Sequence, residues 1–221
     1  MKMTRIEKFF VRSPLRLYFQ RKFEAPWVLS NLNIGSGCVC LEIGCGHGAG
    51  ALLINQYLDC KRVIGVDIDP DMIEGAKRYI SRPPRWARDI RTDNIDFICQ
   101  DAAKLSFPDC YFDAAFLFGV LDHITEWRGV VAEVFRVLKV GGMFSFEEFL
   151  LGESSRNRWG HVSIGEAELR DALETVGYSI QSFEMMKRLP RCFVRAVKDD
   201  YSSKGGVVEW GKYIYPGEGV T

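Results

Sequence analysis

The sequence predicts one α/β domain, a mainly parallel sheet with helices on both faces. Three observations carry that expectation. Apolar strand-like runs alternate with helix-like periodic segments through residue 150, the alternation that right-handed crossover units produce. The first run, 39–43, passes into glycines at 44, 46, 48 and 50. Such a loop can turn sharply and let a ligand rest against bare backbone. Asp67 then closes a second apolar run, 23 residues after Gly44, where a crossover unit sets an acid beside a ribose.

The elements follow in order. Ser13-Pro14 breaks the N-terminal helical stretch, because proline disfavours the α region in the residue before it. After the strand at 39–43 comes a helix over roughly 48–58, with Ala51, Leu52 and Leu58 inward. The second strand is 63–67. Asp69-Pro70 reads as an N-cap with proline at the first helical position, opening a helix to about Ile80. A longer connection, 81–94, holds Pro83-Pro84 and arginines at 82, 85, 88 and 91. Strands three and four fall at 95–99 and 112–118. Residues 126–139 carry the cleanest helical stripe: Trp127, Val130, Val131, Val134, Phe135 and Leu138 recur at a spacing of three or four. Gly141-Gly142 is expected to stop that helix before strand five at 143–149. Ser163-Ile-Gly-Glu166 reads as a capping box for a helix ending at Gly177. Two final apolar runs, 178–186 and 192–197, suit an antiparallel hairpin. The expected organisation is a helical cap over 1–35, the domain over 36–198, and a loosely packed tail over 199–221.

Composition narrows the function. The chain has 221 residues, 47% of them apolar, enough for one full core. It contains no run of 18 apolar residues, so no transmembrane helix is expected. Glu7, Lys8 and Arg12 interrupt any signal-peptide core. Cysteines at 38, 40, 45, 60, 99, 110 and 192 form no CxxC pair. The paired spacing of a zinc site is therefore missing, and no metal is expected. They read as reduced, buried thiols of a cytoplasmic protein.

Net charge is zero but uneven: residues 1–24 carry seven Lys/Arg against two Glu, so +5 faces −5 in the remainder. Phe9, Phe10, Leu15, Leu17, Tyr18, Phe19 and Phe23 lie among those cations. Two readings stand for this segment. One is a pair of amphipathic helices with solvated charges. The other is a cap that attracts an anionic substrate, nucleic acid or a membrane surface. The arginines of 82–91 either line one helical face toward RNA or phosphate or are solvated, and Pro83-Pro84 favours the second.

Two cofactor classes fit a glycine loop with a downstream acid. Gly44-Cys-Gly46-His-Gly48-Ala49 matches GxGxxA, which admits a nicotinamide or flavin dinucleotide. Against that, Glu42 stands where a dinucleotide fold usually keeps an apolar strand residue. A third acid, Asp101, follows strand three, and Phe107-Pro-Asp-Cys-Tyr-Phe-Asp113 leads into strand four.

Six motifs occur in register: Glu42-Ile-Gly-Cys-Gly-His-Gly48, Gly65-Val-Asp-Ile-Asp-Pro-Asp-Met72, Gln100-Asp-Ala102, Tyr111-Phe-Asp113, Val120-Leu-Asp-His-Ile124 and Arg136-Val-Leu-Lys-Val-Gly-Gly142. Together they resemble the class I S-adenosylmethionine-dependent methyltransferases, in the branch with the quinone-biosynthesis C-methyltransferases, over about residues 36–197. The resemblance implies a Rossmann-like seven-stranded sheet, order 3-2-1-4-5-7-6, with the last strand antiparallel. It also implies methyl transfer to a small or medium-sized acceptor, leaving S-adenosylhomocysteine. Gly44, Cys45, Gly46 and Gly48 would then line the cofactor, passing under its methionine and ribose parts. Glu42 would approach its cationic end, Asp67 the ribose hydroxyls, Ile68 and Met72 the adenine. Asp101 would accept from the adenine amino group, with the Ala102 N–H nearby. Phe118 would offer its carbonyl to the methionine ammonium. His123 matches a position near the cofactor that is commonly His in this branch.

A general base helps where the attacking atom starts protonated. His47, His123, His161, Glu147 and Glu148 are the candidates; His161 and His123 stand first, each with a structural hydrogen-bonding role as its alternative. His47 belongs to the loop backbone. Glu147 and Glu148 point to opposite faces if strand five continues through them. No Asn-Pro-Pro-Tyr motif follows strand four, where Leu117-Phe-Gly-Val stands, which speaks against methylation of planar amino groups. Other functions fit the same motifs: a protein or RNA acceptor docked on the basic N-terminus, a non-catalytic cofactor-binding partner, or a dinucleotide-dependent oxidoreductase.

Overall fold

The computed structural model describes residues 13–150, 161–187 and 189–200. Seven strands form one sheet in the order β3-β2-β1-β4-β5-β7-β6. They are β1 (Cys38–Ile43), β2 (Cys60–Asp67), β3 (Ile95–Cys99), β4 (Phe112–Phe118), β5 (Leu138–Phe149), β6 (Tyr178–Met185) and β7 (Arg191–Lys198). The first five pair in parallel, and β7 runs antiparallel to both β5 and β6. This is the sheet order and closing hairpin that the motifs implied.

Each sheet face buries a separate apolar layer, as period-two alternation demands. Helices α1 (Pro14–Phe19) and α2 (Ala25–Leu29) are joined by a π turn over Gln20–Glu24. Next come α3 (Ala49–Tyr57), α4 (Pro70–Ser81), α5 (Trp127–Val137) and α6 (Glu166–Val176). Val28, Leu52 and Ile73, from α2, α3 and α4, pack on one face with Cys40 and Phe116. Val131 and Leu173, from α5 and α6, pack on the other with Leu41 and Phe144. The α5 stripe buries Trp127, Val130, Val131, Val134, Phe135 and Val137. Each such side chain contributes roughly 1.5–3 kcal/mol when fully buried.

Most helix starts obey local chemistry. Ser13 Oγ accepts from the Arg16 N–H at 3.1 Å and Pro14 opens α1. Asp69 Oδ1 accepts from the Asp71 N–H at 2.9 Å, capping α4 ahead of Pro70. The α6 start differs from the sequence reading. Its cap is Gly165, not Ser163: the Glu168 carboxylate accepts the Gly165 N–H at 3.1 Å.

The end of α5 differs too. The helix stops at Val137, and β5 begins at once and runs through Gly141-Gly142. Buried Lys198 explains this stop. Its Nζ donates to the Phe135 and Leu138 carbonyls at 2.8 and 2.7 Å, neutralising C-terminal carbonyls that a continuing helix would have used. Likewise β2 starts at Cys60 rather than 63, because Cys60 pairs with Cys38. In the 82–91 segment only Arg85–Ala87 makes a short 3₁₀ turn. Arg82, Arg85 and Arg88 are exposed and Arg91 donates to the Cys60 carbonyl, so the arginines share no helical face. The expected tail lies outside the described residues beyond Asp200, as does the basic stretch 1–12. No described helix is long and apolar enough to cross a membrane.

Candidate active site

The carboxyl ends of β1, β2, β4 and β5 converge on the glycine loop. Gly44 leaves β1 with φ +65°, and a Cβ there would meet Val120 Cγ1 at 2.5 Å. Only glycine fits between that backbone and the loop after β4. The loop spends its own donors internally. The Cys45 N–H bonds the Val66 carbonyl at 2.9 Å, and the Gly48 N–H bonds the Cys45 carbonyl at 2.9 Å. The Gly46 N–H donates to Asp67 Oδ2 at 2.9 Å, while Asp67 Oδ1 accepts the Asp69 N–H at 2.9 Å. Asp67 therefore clamps the loop from the end of β2. A dinucleotide needs those same amides for its pyrophosphate. Here the Cys45, Gly46 and Gly48 amides face carbonyls and a carboxylate, which leaves fewer loop donors for a pyrophosphate.

Glu42 lies beneath the loop, 2% exposed. A Cβ on Gly50 would fall 1.8 Å from Glu42 Oε1, so the carboxyl passes through space that only a glycine in α3 leaves open. Burial first, then Asp67, holds its pKa well above the usual carboxylate range, opposed by a hydrogen bond from Ala51. Its Oε2 is buried and has no hydrogen-bond partner among the described residues.

Around this loop the remaining expected ligands spread unequally. Ile68 is 43% exposed and offers an apolar surface at the end of β2. Met72, by contrast, is completely buried in α4 and presents no accessible surface. Exposed Asp101 accepts the Ala103 N–H at 2.9 Å, with Ala102 buried beside it. His47 packs edge-on against Tyr79, ring centroids 5.0 Å apart.

The floor beyond β4 and β5 is densely charged. Glu148 Oε2 accepts the Val120 and Leu121 N–H groups at 3.0 and 2.6 Å, fixing the turn after β4. Glu147 points to the opposite side, toward Arg191 Nε at 3.3 Å and Arg16 Nη2 at 3.9 Å. Burial and then Glu24 push its pKa up to about 8, against Arg191 and Arg16. Arg16 also pairs with Glu24 at 2.6 Å and donates to the Phe118 carbonyl at 3.4 Å. Thus α1 reaches the site's rim, at the carbonyl that the resemblance assigns to an ammonium.

A compact acid–imidazole group completes the rim. Buried Asp122 Oδ2 lies 3.0 Å from His161 Nδ1, and Oδ1 lies 3.6 Å from His123 Nε2. The two imidazole centroids are 4.1 Å apart. The Val162 N–H bonds the Asp122 carbonyl at 2.7 Å, which ties the chain around His161 to the turn holding His123. A buried carboxylate fixing one ring nitrogen leaves the other oriented for proton transfer. Sequence reasoning picked out both histidines but not Asp122, which joins them. Arg16 also went unread as a site residue, and Gly50, read only as part of the glycine loop, is what leaves room for Glu42.

The donor set fits an adenosine that carries a cationic group. Asp67 and Asp101 present carboxylates that accept the Gly46 and Ala103 N–H groups, Ile68 is an apolar face, and Glu42 holds an unpartnered buried oxygen beneath the loop.

Residues 41–146 match the family described as Methyltransferase domain. A sterol 24-C-methyltransferase of Aspergillus fumigatus is 31% identical over 131 residues, covering 59% of this chain and 33% of that protein. One from Eremothecium gossypii is 30% identical over 162 residues, covering 66% and 42%. The chain thus spans less than half the length of these two relatives. A SAM-dependent methyltransferase from Aquifex aeolicus superposes with a TM-score of 0.71, covering 89% of this chain and 100% of that one, at 17% identity. Geranyl diphosphate methyltransferase in complex with SAM gives 0.67, covering 79% and 84%, at 15% identity. At those identities the likeness concerns the fold.

Proposed function

We propose that this chain, whose residues 41–146 match the Methyltransferase domain family and whose sheet has the order the class I S-adenosylmethionine-dependent methyltransferases imply, methylates a small or medium-sized apolar acceptor. The observation that carries the acceptor class lies on the helix that reaches the rim and on the π turn that follows it. Tyr18, Phe19 and Phe23 are 53%, 47% and 55% exposed and form an aromatic trio, with centroids 5.4–6.4 Å apart. Arg16 on the same helix bonds the Phe118 carbonyl. Exposed aromatic clusters of this kind mark interaction surfaces. The sterol and geranyl diphosphate in the relatives' names are both isoprenoid skeletons, which supports an acceptor of that class. The quinone-biosynthesis resemblance is compatible with it.

When bound, S-adenosylmethionine supplies an electrophilic methyl group on a sulfonium. Asp67 would accept the ribose hydroxyls while keeping the Gly46 amide. Asp101 and Ile68 would receive the adenine, and Glu42 would approach the cationic end, whose charge would favour its ionised form. His161, oriented by Asp122, would take a proton from the acceptor, and His123 would support the same carboxylate. In this reading residues 1–35 act as a cap on the 36–198 domain and help to select the acceptor.

The test is incubation of the chain with methyl-labelled S-adenosylmethionine and, in parallel, sterols, prenyl diphosphates, prenylated phenols, total protein and RNA. Label entering an isoprenoid supports the proposal. Label entering only protein or RNA overturns the acceptor class.

A further inference from the structure

At the opposite end of β1 from the glycine loop, the sheet gathers three thiols. Cys38 and Cys40 lie two residues apart on β1, so their side chains leave the same face. Cys60 opens β2 as the register partner of Cys38. The Cys38–Cys40 sulfurs are 3.5 Å apart, and those of Cys38–Cys60 and Cys40–Cys60 are 3.7 Å apart. All three residues are at least 96% buried.

We propose that Cys38, Cys40 and Cys60 form a site for one thiophilic closed-shell cation, zinc(II) or its heavier analogue cadmium(II). Three corners of a tetrahedron with Zn–S bonds of about 2.3 Å hold sulfurs about 3.8 Å apart. The three thiols therefore need to open by only a few tenths of an ångström to take the ion. Soft thiolates select this class of metal over oxygen-seeking cations. Each metal–sulfur bond replaces an S–H bond or an existing thiolate lone pair, the displaced protons leave to solvent, and no electron is transferred.

Two features favour entry. Cys60 also lines a surface cavity of about 340 Å³ with Asn55, Asp59 and Arg91, which sets open space beside one of the three ligand residues. Arg91 bonds the Cys60 carbonyl, placing a cation beside a three-thiolate site that keeps one negative charge.

The sequence hid this site because its spacing is CxC on a strand plus a cysteine from the next strand, not CxxC. The competing account is three reduced thiols filling core space. The experiment is titration of the reduced full chain with cadmium(II) alone, read by thiolate-to-metal charge-transfer absorption, with zinc(II) stoichiometry by native mass spectrometry. The expected result is saturation at one ion per chain. The band is lost in Cys40→Ser and in Cys60→Ala, each checked for folding by circular dichroism, and kept in Cys99→Ser/Cys110→Ser. The wild-type titration decides independently of any folding defect. No saturable band in the folded wild type overturns the site. So does a band that follows Cys99 and Cys110.

Discussion

Gly50→Ala is the sharpest test of how Glu42 is held. In an ordinary helix this change stabilises by about 1 kcal/mol, since glycine is the poorer helix former. Gly50 is the second residue of α3, yet the new Cβ would lie 1.8 Å from Glu42 Oε1 and 2.7 Å from its Cδ. The carboxyl must move, and at 2% exposure it has no solvent to move into. Displacement costs the hydrogen bond from Ala51, about 1–2 kcal/mol for a buried group, with overpacking adding roughly 1–3 kcal/mol. The net expectation is a loss of about 1–4 kcal/mol in place of a gain. Urea unfolding of wild type, Gly50→Ala, Glu42→Ala and the double variant measures it. The penalty should vanish once Glu42→Ala has removed the carboxyl, giving a coupling of about 1 kcal/mol or more. A neutral or stabilising Gly50→Ala with Glu42 in place would refute the assigned path of that side chain.

Further predictions concern the rim and the clamp. Glu147 has its carboxyl pushed up to about 8 from 4.5, chiefly by burial. The folded state then keeps a proton that the unfolded chain gives up near pH 4.5, so this group's contribution is complete below that pH and is lost as pH rises through about 8. Urea midpoints should therefore fall across that window in wild type and fall less in Glu147→Gln; equal slopes would count against the buried protonated carboxyl. Asp122→Asn should lower kcat at least tenfold with little change in KM for the cofactor, because His161 loses its orienting charge. Steady-state kinetics showing an unchanged kcat would remove His161 from the chemistry. Lys198→Met should destabilise by about 1–3 kcal/mol, as the Phe135 and Leu138 carbonyls lose a charged donor; a thermal midpoint equal to wild type would contradict the explanation for the end of α5.

Local features were legible where local physics decided them. The strands Ile95–Cys99 and Phe112–Phe118 fall where their apolar runs were bounded by turn residues. Asp69-Pro70 capped α4, and Gly177 closed α6 in the left-handed conformation. The glycine loop and Asp67 marked a candidate ligand site through their spacing, and the structure joins them through the Gly46 N–H. What stayed hidden depended on partners distant in the chain. Lys198 lies about sixty residues beyond the helix it terminates. Arg16 reaches the Phe118 carbonyl across 102 positions. Asp122 gains its role only when the segment after β5 returns to bring His161 beside it. The thiol cluster needed the β1–β2 register, which no periodicity displays.

The central claim is that the loop clamped by Asp67 holds the nucleoside of the methyl donor. Calorimetric titration of the folded chain with S-adenosylhomocysteine tests it most directly, with Asp67→Ala alongside. The account predicts micromolar binding to the wild type and at least a tenfold loss in the variant, the cost of a charge-assisted contact. No heat of binding in a folded wild type, or equal affinity in both proteins, would contradict it.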